Sequence, residues 1–121
     1  MKIIQKAITG LIELDFNIAH LNIINFFLPV QLTPKEIEVL GAFMSLKGEL
    51  VDKDRFGTTF RKSVKADLKM SDGGLSNHLR NLILKGAIKE NLEGNLSIQD
   101  FLFPEETQQF YQFKIVKGDK K

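Results

Sequence analysis

The sequence predicts an α+β fold that is mostly helical and has a small amount of β-structure near its end. Apolar residues recur at helical spacing in several segments between residues 32 and 86. Residues 87–99 have the pattern of two short strands around a turn at Gly94, and residues 110–117 have high β propensity. A chain of 121 residues is long enough to form one domain with an apolar core of its own.

The best-marked helix is predicted over residues 72–86. Ser71 or Asp72 can cap its start, and Gly86 stands where a left-handed C-terminal cap belongs. One face of this helix is apolar and consists of Leu75, Leu79, Leu82 and Ile83. The opposite face carries small, amide-bearing and basic side chains, namely Ser76, Asn77, Arg80, Asn81 and Lys85.

Two further helices are predicted to complete the core. Thr33 and Glu36 have the spacing of a capping box, so a helix is expected over residues 32–47. The pattern resumes near residue 58 and continues to about residue 69, with a loop or a short helical turn before it.

The N-terminal third contains two apolar segments. Residues 2–14 favour a helix over a strand, although Gly10 costs roughly 1 kcal/mol relative to Ala within a helix. Residues 16–28 are apolar over more than one helical stripe and should be buried on several sides. This burial is expected either from a second copy of the chain, in a homodimer formed through residues 3–28, or from simple packing onto the core.

The predicted organisation therefore has three parts. Residues 1–31 form an apolar extension, residues 32–117 form the main domain and residues 118–121 form a frayed tail. Within the main domain, residues 101–104 are expected to act as an apolar plug. Residues 110–117 are expected to form a strand that pairs with the hairpin or with an edge of the N-terminal segment.

The positive charge is concentrated in one part of the chain. The net charge is −2 over residues 1–54, +6 over residues 55–89 and −2 over residues 90–121. A basic segment between two acidic flanks is typical of a surface that meets phosphate, whereas the alternative is a solvated charged face.

Several classes of protein receive no support from the sequence. The chain has no cysteine, which excludes disulfides and thiolate metal sites. It has no apolar run of about 20 residues and no signal-peptide pattern, so we expect a soluble, cytoplasmic protein without a membrane partner. It also has no Gly-rich phosphate loop, HExxH motif or local Ser-His-Asp arrangement, so we expect no enzymatic activity and no cofactor.

Residues 32–99 resemble the winged helix-turn-helix of MarR-type and ArsR-type transcription regulators. The resemblance starts from LTPKEIEVL in the first helix and rests mainly on Val64, Leu68, Met70, Ser71, Leu75, Ser76, His78, Leu79, Leu82, Gly86, Ala87 and Ile88. It implies a recognition helix at 72–86 followed by a wing at 87–99. Winged helices also dock on proteins within replication, polymerase and virion assemblies, and this is the alternative function.

A second resemblance concerns the phrase GNLSIQDFLFP, which is similar to the wing of replication initiators from some plasmids and phages. This chain has Ile98, Gln99 and Asp100 where those proteins have an Ile-Asn-Pro phrase. The composition, rich in Lys, Ile, Asn and Phe, is compatible with an AT-rich genome such as that of a phage. ArsR-type metal sensors use cysteines or paired His and carboxylate ligands, whereas this chain has only His20 and His78, so no metal site is expected.

The resemblance implies double-stranded DNA as the partner and gives roles to individual residues. Arg can bond bidentately to guanine and Asn to adenine in the major groove, so the expected base-reading residues are Ser76, Asn77, Arg80 and Asn81. Phosphate contacts are expected from Arg61, Lys62, Lys65, Lys69, Ser71, Lys85, Lys89 and Asn95.

Overall fold

The computed structural model describes residues 1–119 and has the predicted α+β, mostly helical architecture. The described chain contains five α-helices, which we number α1 (Glu13–Asn25), α2 (Pro34–Met44), α3 (Glu49–Asp54), α4 (Thr58–Leu68) and α5 (Asp72–Leu84). They are followed by a two-stranded antiparallel sheet, β1 (Ile88–Glu90) and β2 (Leu96–Ile98), and by a short 3-10 turn, Asp100–Leu102.

Helix α2 is the central element of the core. The predicted capping box is confirmed: Thr33 Oγ1 accepts a hydrogen bond from the Glu36 N–H at 3.2 Å, and Glu36 Oε1 accepts one from the Thr33 N–H at 2.9 Å. These two bonds satisfy N–H groups that have no partner within the helix. Val39, Leu40 and Phe43 are completely buried, and α2 contacts α1, α4 and α5.

A tight turn joins α4 to α5. Lys69 ends α4 in the left-handed conformation, with φ at 54°, and Ser71 starts α5 by accepting a hydrogen bond from the Gly74 N–H at 3.0 Å. Helix α5 buries its apolar face against α2, as predicted, through Leu75, Leu79 and Leu82. It ends at Leu84, two residues before the predicted end, and Gly86 then takes the expected left-handed conformation with φ at 85°.

The predicted hairpin is confirmed and sits directly after α5. Ile88 pairs with Ile98 and both are buried, while the turn between the strands contains Gly94 with φ at 85°. Asn91 Oδ1 accepts hydrogen bonds from two backbone N–H groups of this turn, each at 2.9 Å. The hairpin therefore has one apolar face against the core and a turn stabilised by its own first residue.

Helix α1 confirms the helix predicted over residues 16–28, with bounds shifted by three residues at each end. It packs closely on α2 at Gly41, where an added Cβ would lie 2.9 Å from Ile18 Cγ1. Its buried residues include Leu21, but also the polar Asn17 and His20. Asn17 donates a hydrogen bond to the Ser45 hydroxyl at 2.9 Å, which offsets the cost of burying its amide.

The helix predicted over residues 2–14 is wrong for most of its length. Residues 1–12 contain no helix, and the chain becomes helical only at Glu13. Gly10 adopts a left-handed conformation with φ at 76°, which interrupts a right-handed helix. An isolated short helix in water also needs a surface for its apolar face, and the core of this chain does not supply one.

The C-terminal strand predicted over residues 110–117 is also wrong. These residues pair with neither β1 nor β2, and they form no strand within residues 1–119. Side chains position this segment instead: Tyr111 stacks on His20, and Phe113 stacks on Phe27 with ring centroids 5.3 Å apart. Strands of three residues offer few backbone groups for a further pairing, so aromatic packing on α1 decides its position.

The apolar plug predicted over residues 101–104 is reduced to one residue. Leu102 is completely buried in the core, whereas Phe101 is 66% exposed and Phe103 is 37% exposed. The three residues of the 3-10 turn point in different directions, so Leu102 enters the core while Asp100 and Phe101 face solvent.

No helix within residues 1–119 is long and apolar enough to cross a membrane. Residues 120–121 of the tail predicted to fray lie outside the described residues.

Candidate nucleic-acid interface

The solvent face of α5 includes the four residues predicted to read bases. Ser76, Asn77, Arg80 and Asn81 are all exposed, while Leu75, Leu79 and Leu82 of the same helix are buried. No side-chain hydrogen bond or ion pair within residues 1–119 involves any of the four. Their donors and acceptors are therefore available to an external partner.

The cations of α4 differ in their availability. Lys62 and Lys69 are exposed, and neither takes part in an ion pair of the described chain. Lys65 forms an ion pair with Asp72 at the start of α5. Arg61 is half-buried, and its Nε donates a hydrogen bond to the Phe56 carbonyl at 2.7 Å.

Lys85 lies in an internal ion pair rather than at the exposed face of α5. Its Nζ is 2.6 Å from Glu36 Oε1, and the carboxyl side chain is only 3% exposed. Burial alone would raise the pKa of Glu36, but hydrogen bonds from Lys85 and from the Thr33 backbone hold this pKa below its usual value. The charge of Lys85 is thus used to join α5 to the start of α2.

Arg55 is a structural residue that the sequence reasoning did not single out. Its Nη1 donates hydrogen bonds to the carbonyls of Phe43 at 2.6 Å and Leu46 at 3.3 Å, and its guanidinium lies 5.5 Å from the centre of the Phe103 ring. Burial lowers the pKa of Arg55. A cation that caps carbonyls at the end of a preceding helix stabilises that end. The sequence contains no local sign of this role, because Leu46 and Phe43 lie 9 and 12 positions from Arg55 and Phe103 lies much further along the chain.

The hairpin carries both signs of charge. Lys89 and Asn95 are the two hairpin residues among the eight predicted to contact the DNA backbone, and both are exposed, but so are Glu90 and Glu93. Residues 88–98 therefore have a net charge of −1. The hairpin adds little attraction for phosphate, and the basic character of this part of the surface comes from α4 and α5.

The two histidines lie away from this surface or at its edge. His20 is buried in α1, and its Nδ1 lies 2.6 Å from the Tyr111 hydroxyl. Burial lowers the pKa of His20, and the nearby Leu102 backbone acts in the opposite direction. His78 is half-buried on α5. Within residues 1–119, no group of three His, Cys, Asp or Glu side chains is arranged to hold a metal ion.

Comparison of the chain with protein-family models, with curated proteins and with solved structures finds no match.

Proposed function

We propose that this protein is a winged-helix DNA-binding protein of the transcription-regulator type. The order and packing of the elements support the proposal: α4 and α5 both contact α2, and the short hairpin follows α5 directly. Helix α5 would lie in the major groove, with the hairpin beside the adjacent backbone. The proposal rests mainly on one observation, which is the exposed and unpaired polar face of α5.

Base recognition would depend on a few residues of α5. Arg80 can donate two hydrogen bonds to the O6 and N7 atoms of guanine, and Asn77 and Asn81 can each bond to adenine. Ser76 can donate to or accept from either base type. All four side chains are on one solvent face, so a single docking of the helix brings them to the base edges together.

Phosphate binding would depend on fewer cations than the sequence predicts. Of the eight cations in residues 55–89, four are held by internal bonds, namely Arg55, Arg61, Lys65 and Lys85. The remaining four are exposed and unpaired within the described chain, namely Lys62, Lys69, Arg80 and Lys89. Arg61 and Lys65 can still reach phosphate if they exchange partners, but Lys85 would leave a buried carboxylate unpaired.

A salt titration tests DNA binding directly. Fluorescence anisotropy with a random-sequence duplex at several salt concentrations should give a negative slope of log K against log salt, of about −0.9 for each phosphate contact. The double variant Lys62→Ala with Lys69→Ala should weaken binding to every duplex and reduce this slope by about two.

The matched control is Lys114→Ala with Lys117→Ala, which removes the same charge from positions outside α4 and α5 that are also exposed and unpaired within the described chain. Its slope should equal that of the wild type. Equal losses in the two double variants would show a nonspecific charge effect, and absence of any duplex binding at low salt would refute the proposal.

A second candidate is a protein-docking module within a replication, polymerase or virion assembly. Phe26, Phe27 and Phe101 are largely exposed, and exposed aromatic side chains are typical of protein-binding surfaces. The salt titration with duplex DNA distinguishes the two candidates, because a docking module does not need the free cations of α4 and is not expected to bind the duplex. Retained partner binding without duplex binding would favour this second function.

A further inference from the structure

The first twelve residues form an apolar and basic segment that we call the N-terminal arm. Ile3, Ile4 and Ile8 are 71, 85 and 70% exposed, and no residue of the arm joins the core of the described chain. The charged side chains of the arm are Lys2 and Lys6, both basic. Leaving three isoleucines in water forgoes the burial energy that each offers, so the arm is suited to a surface outside its own core.

A groove that we call the acidic groove lies beside the point where the arm joins α1. The first half of α1, the residues after α2 and the segment after the 3-10 turn line it. The lining includes the aromatic rings of Phe16 and Phe103, the carboxylates of Glu13, Glu105 and Glu106, and the Lys47 ammonium group. Glu13 pairs with Lys47 at 3.1 Å, whereas Glu105 and Glu106 form no ion pair within the described chain. Two aromatic rings beside two unpaired carboxylates complement an apolar segment with two lysines.

The accessible surface of the chain exceeds that expected for a folded monomer. It measures 9385 Å², whereas a folded monomer of 13.8 kDa exposes about 6,600 Å² by the usual scaling of surface with mass. The excess of about 2,800 Å² is larger than the roughly 1,000 to 2,500 Å² that each subunit of an obligate homodimer buries. The chain therefore has enough unburied surface for a stable dimer.

We propose that two copies of this chain form a homodimer by exchanging their N-terminal arms. The arm of each copy lies in the acidic groove of the other, with its isoleucines against Phe16 and Phe103 and with Lys2 and Lys6 beside Glu105 and Glu106. The arm and the groove meet at Glu13, so a two-fold axis near this residue forms both contacts at once and closes the assembly.

This dimer does not depend on the proposed DNA binding. Its interface uses the arm, α1 and residues 103–106, and none of the four candidate base-reading residues of α5 belongs to it. Both copies of α5 stay accessible, so the dimer can form with or without DNA.

The oligomeric state of the full chain in the absence of DNA tests the proposal. Light scattering coupled to gel filtration should give twice 13.8 kDa for the wild type. Ile4→Ser with Ile8→Ser should raise the dimer dissociation constant roughly a hundredfold or more, because each dimer loses four buried isoleucines. The matched control, Gln5→Ser with Thr9→Ser, alters exposed polar residues of the same arm and should remain dimeric.

Charge reversal tests whether the arm occupies the acidic groove. Lys2→Glu with Lys6→Glu should raise the dissociation constant roughly tenfold, and Glu105→Lys with Glu106→Lys should do the same, because the dimer contains each contact twice. One chain that carries all four changes should recover the wild-type constant. All these positions are exposed, so circular dichroism should show an unchanged fold in each variant.

Three results would overturn the proposal. The first is a wild-type mass of 13.8 kDa at all concentrations, which would show a monomer. If this monomer sedimented with lipid vesicles, the arm would bind a membrane surface and not a second copy. The second is a dimer that the isoleucine variant leaves intact, which would place the interface elsewhere. The third is a failure of the fourfold charge variant to restore association.

Discussion

At the residue scale, internal bonding decides which cations can meet a partner. Lys85 and Lys62 are both lysines in the basic part of the chain, but Lys85 is bound to the buried Glu36 and Lys62 is free within the described residues. Lys85 therefore contributes to the stability of the fold, and Lys62 contributes to the positive electrostatic potential of the surface. The net charge of residues 55–89 includes both lysines, so it overstates the positive charge that is available for binding a partner.

Substitution of Arg80 tests its proposed role in base recognition. On a duplex selected for tight binding, Arg80→Ala should reduce discrimination against the wrong base by about 1–3 kcal/mol and reduce the salt slope by about one. Arg80→Lys should keep the slope but lose most of the discrimination, because an ammonium cannot form the planar bidentate contact. Competition titrations with single-base variants of the duplex measure both effects, and unchanged discrimination in both variants would remove Arg80 from base recognition.

At the element scale, the orientation of α5 depends on its connection to α2. The Lys85–Glu36 ion pair joins the last turn of α5 to the capping box that starts α2. Glu36 Oε1 accepts hydrogen bonds from both the Thr33 backbone and Lys85 Nζ. At the contact between α5 and α2, the leucines of α5 supply the apolar burial, while the Lys85–Glu36 ion pair adds a directional contact at one end.

Replacing Lys85 with Met should destabilise the fold by about 2 kcal/mol, because the buried Glu36 carboxylate loses its cation. Urea denaturation should show a lower midpoint at an unchanged slope. Lys62→Met removes the same charge from an exposed position and should change stability by less than about 0.5 kcal/mol. Equal losses in the two variants would contradict a structural role for the ion pair.

At the scale of the whole molecule, the C-terminal segment runs along α1 in the same direction as the helix. Phe103 and Glu105 lie near the first half of α1, and Tyr111 contacts His20 further along it. Phe113 stacks on Phe27, just beyond the end of the helix. The hydrogen bond between His20 and Tyr111 therefore connects residues 91 positions apart.

His20 should make the stability of the whole fold sensitive to mild acid. Burial lowers its pKa from the usual 6.5, so below pH 6.5 the unfolded chain binds the proton more readily than the folded one. The stability that neutral His20 contributes to the fold is fully present above pH 6.5. It is lost as the pH falls through the lower pKa of His20 in the folded state. Thermal unfolding of the wild type should therefore move to lower temperature between about pH 7.5 and about pH 5.5.

His20→Leu should remove most of this shift, because it deletes the titrating group. Tyr111→Phe is the matched control: it removes the hydroxyl but leaves His20 buried, so the shift should persist although the fold loses about 1 kcal/mol. Glu36 does not affect this comparison, because its pKa is lowered from the usual 4.5 and so lies below the pH range of the measurement. An identical shift in His20→Leu would assign the acid sensitivity to another group.

The elements that the sequence predicts well are those controlled by neighbouring residues. Thr33 and Glu36 are three residues apart and bond across the first turn of α2, and Ser71 caps Gly74 at the same spacing. Gly94 permits the left-handed turn of the hairpin without help from the rest of the chain. The exposed face of α5 follows from helical periodicity alone, so its four candidate residues are also predictable.

The sequence by itself thus determined where most helices and strands form, because caps, turns and periodicity act over a few residues. Only the tertiary structure decided the position of the two chain ends and the use of the cations. Residues 1–12 have a helical pattern but no core surface to form against, and Phe113 packs on Phe27 instead of pairing in the sheet. Lys85 lies 49 positions from Glu36, and no local pattern reveals an ion pair formed over such a separation.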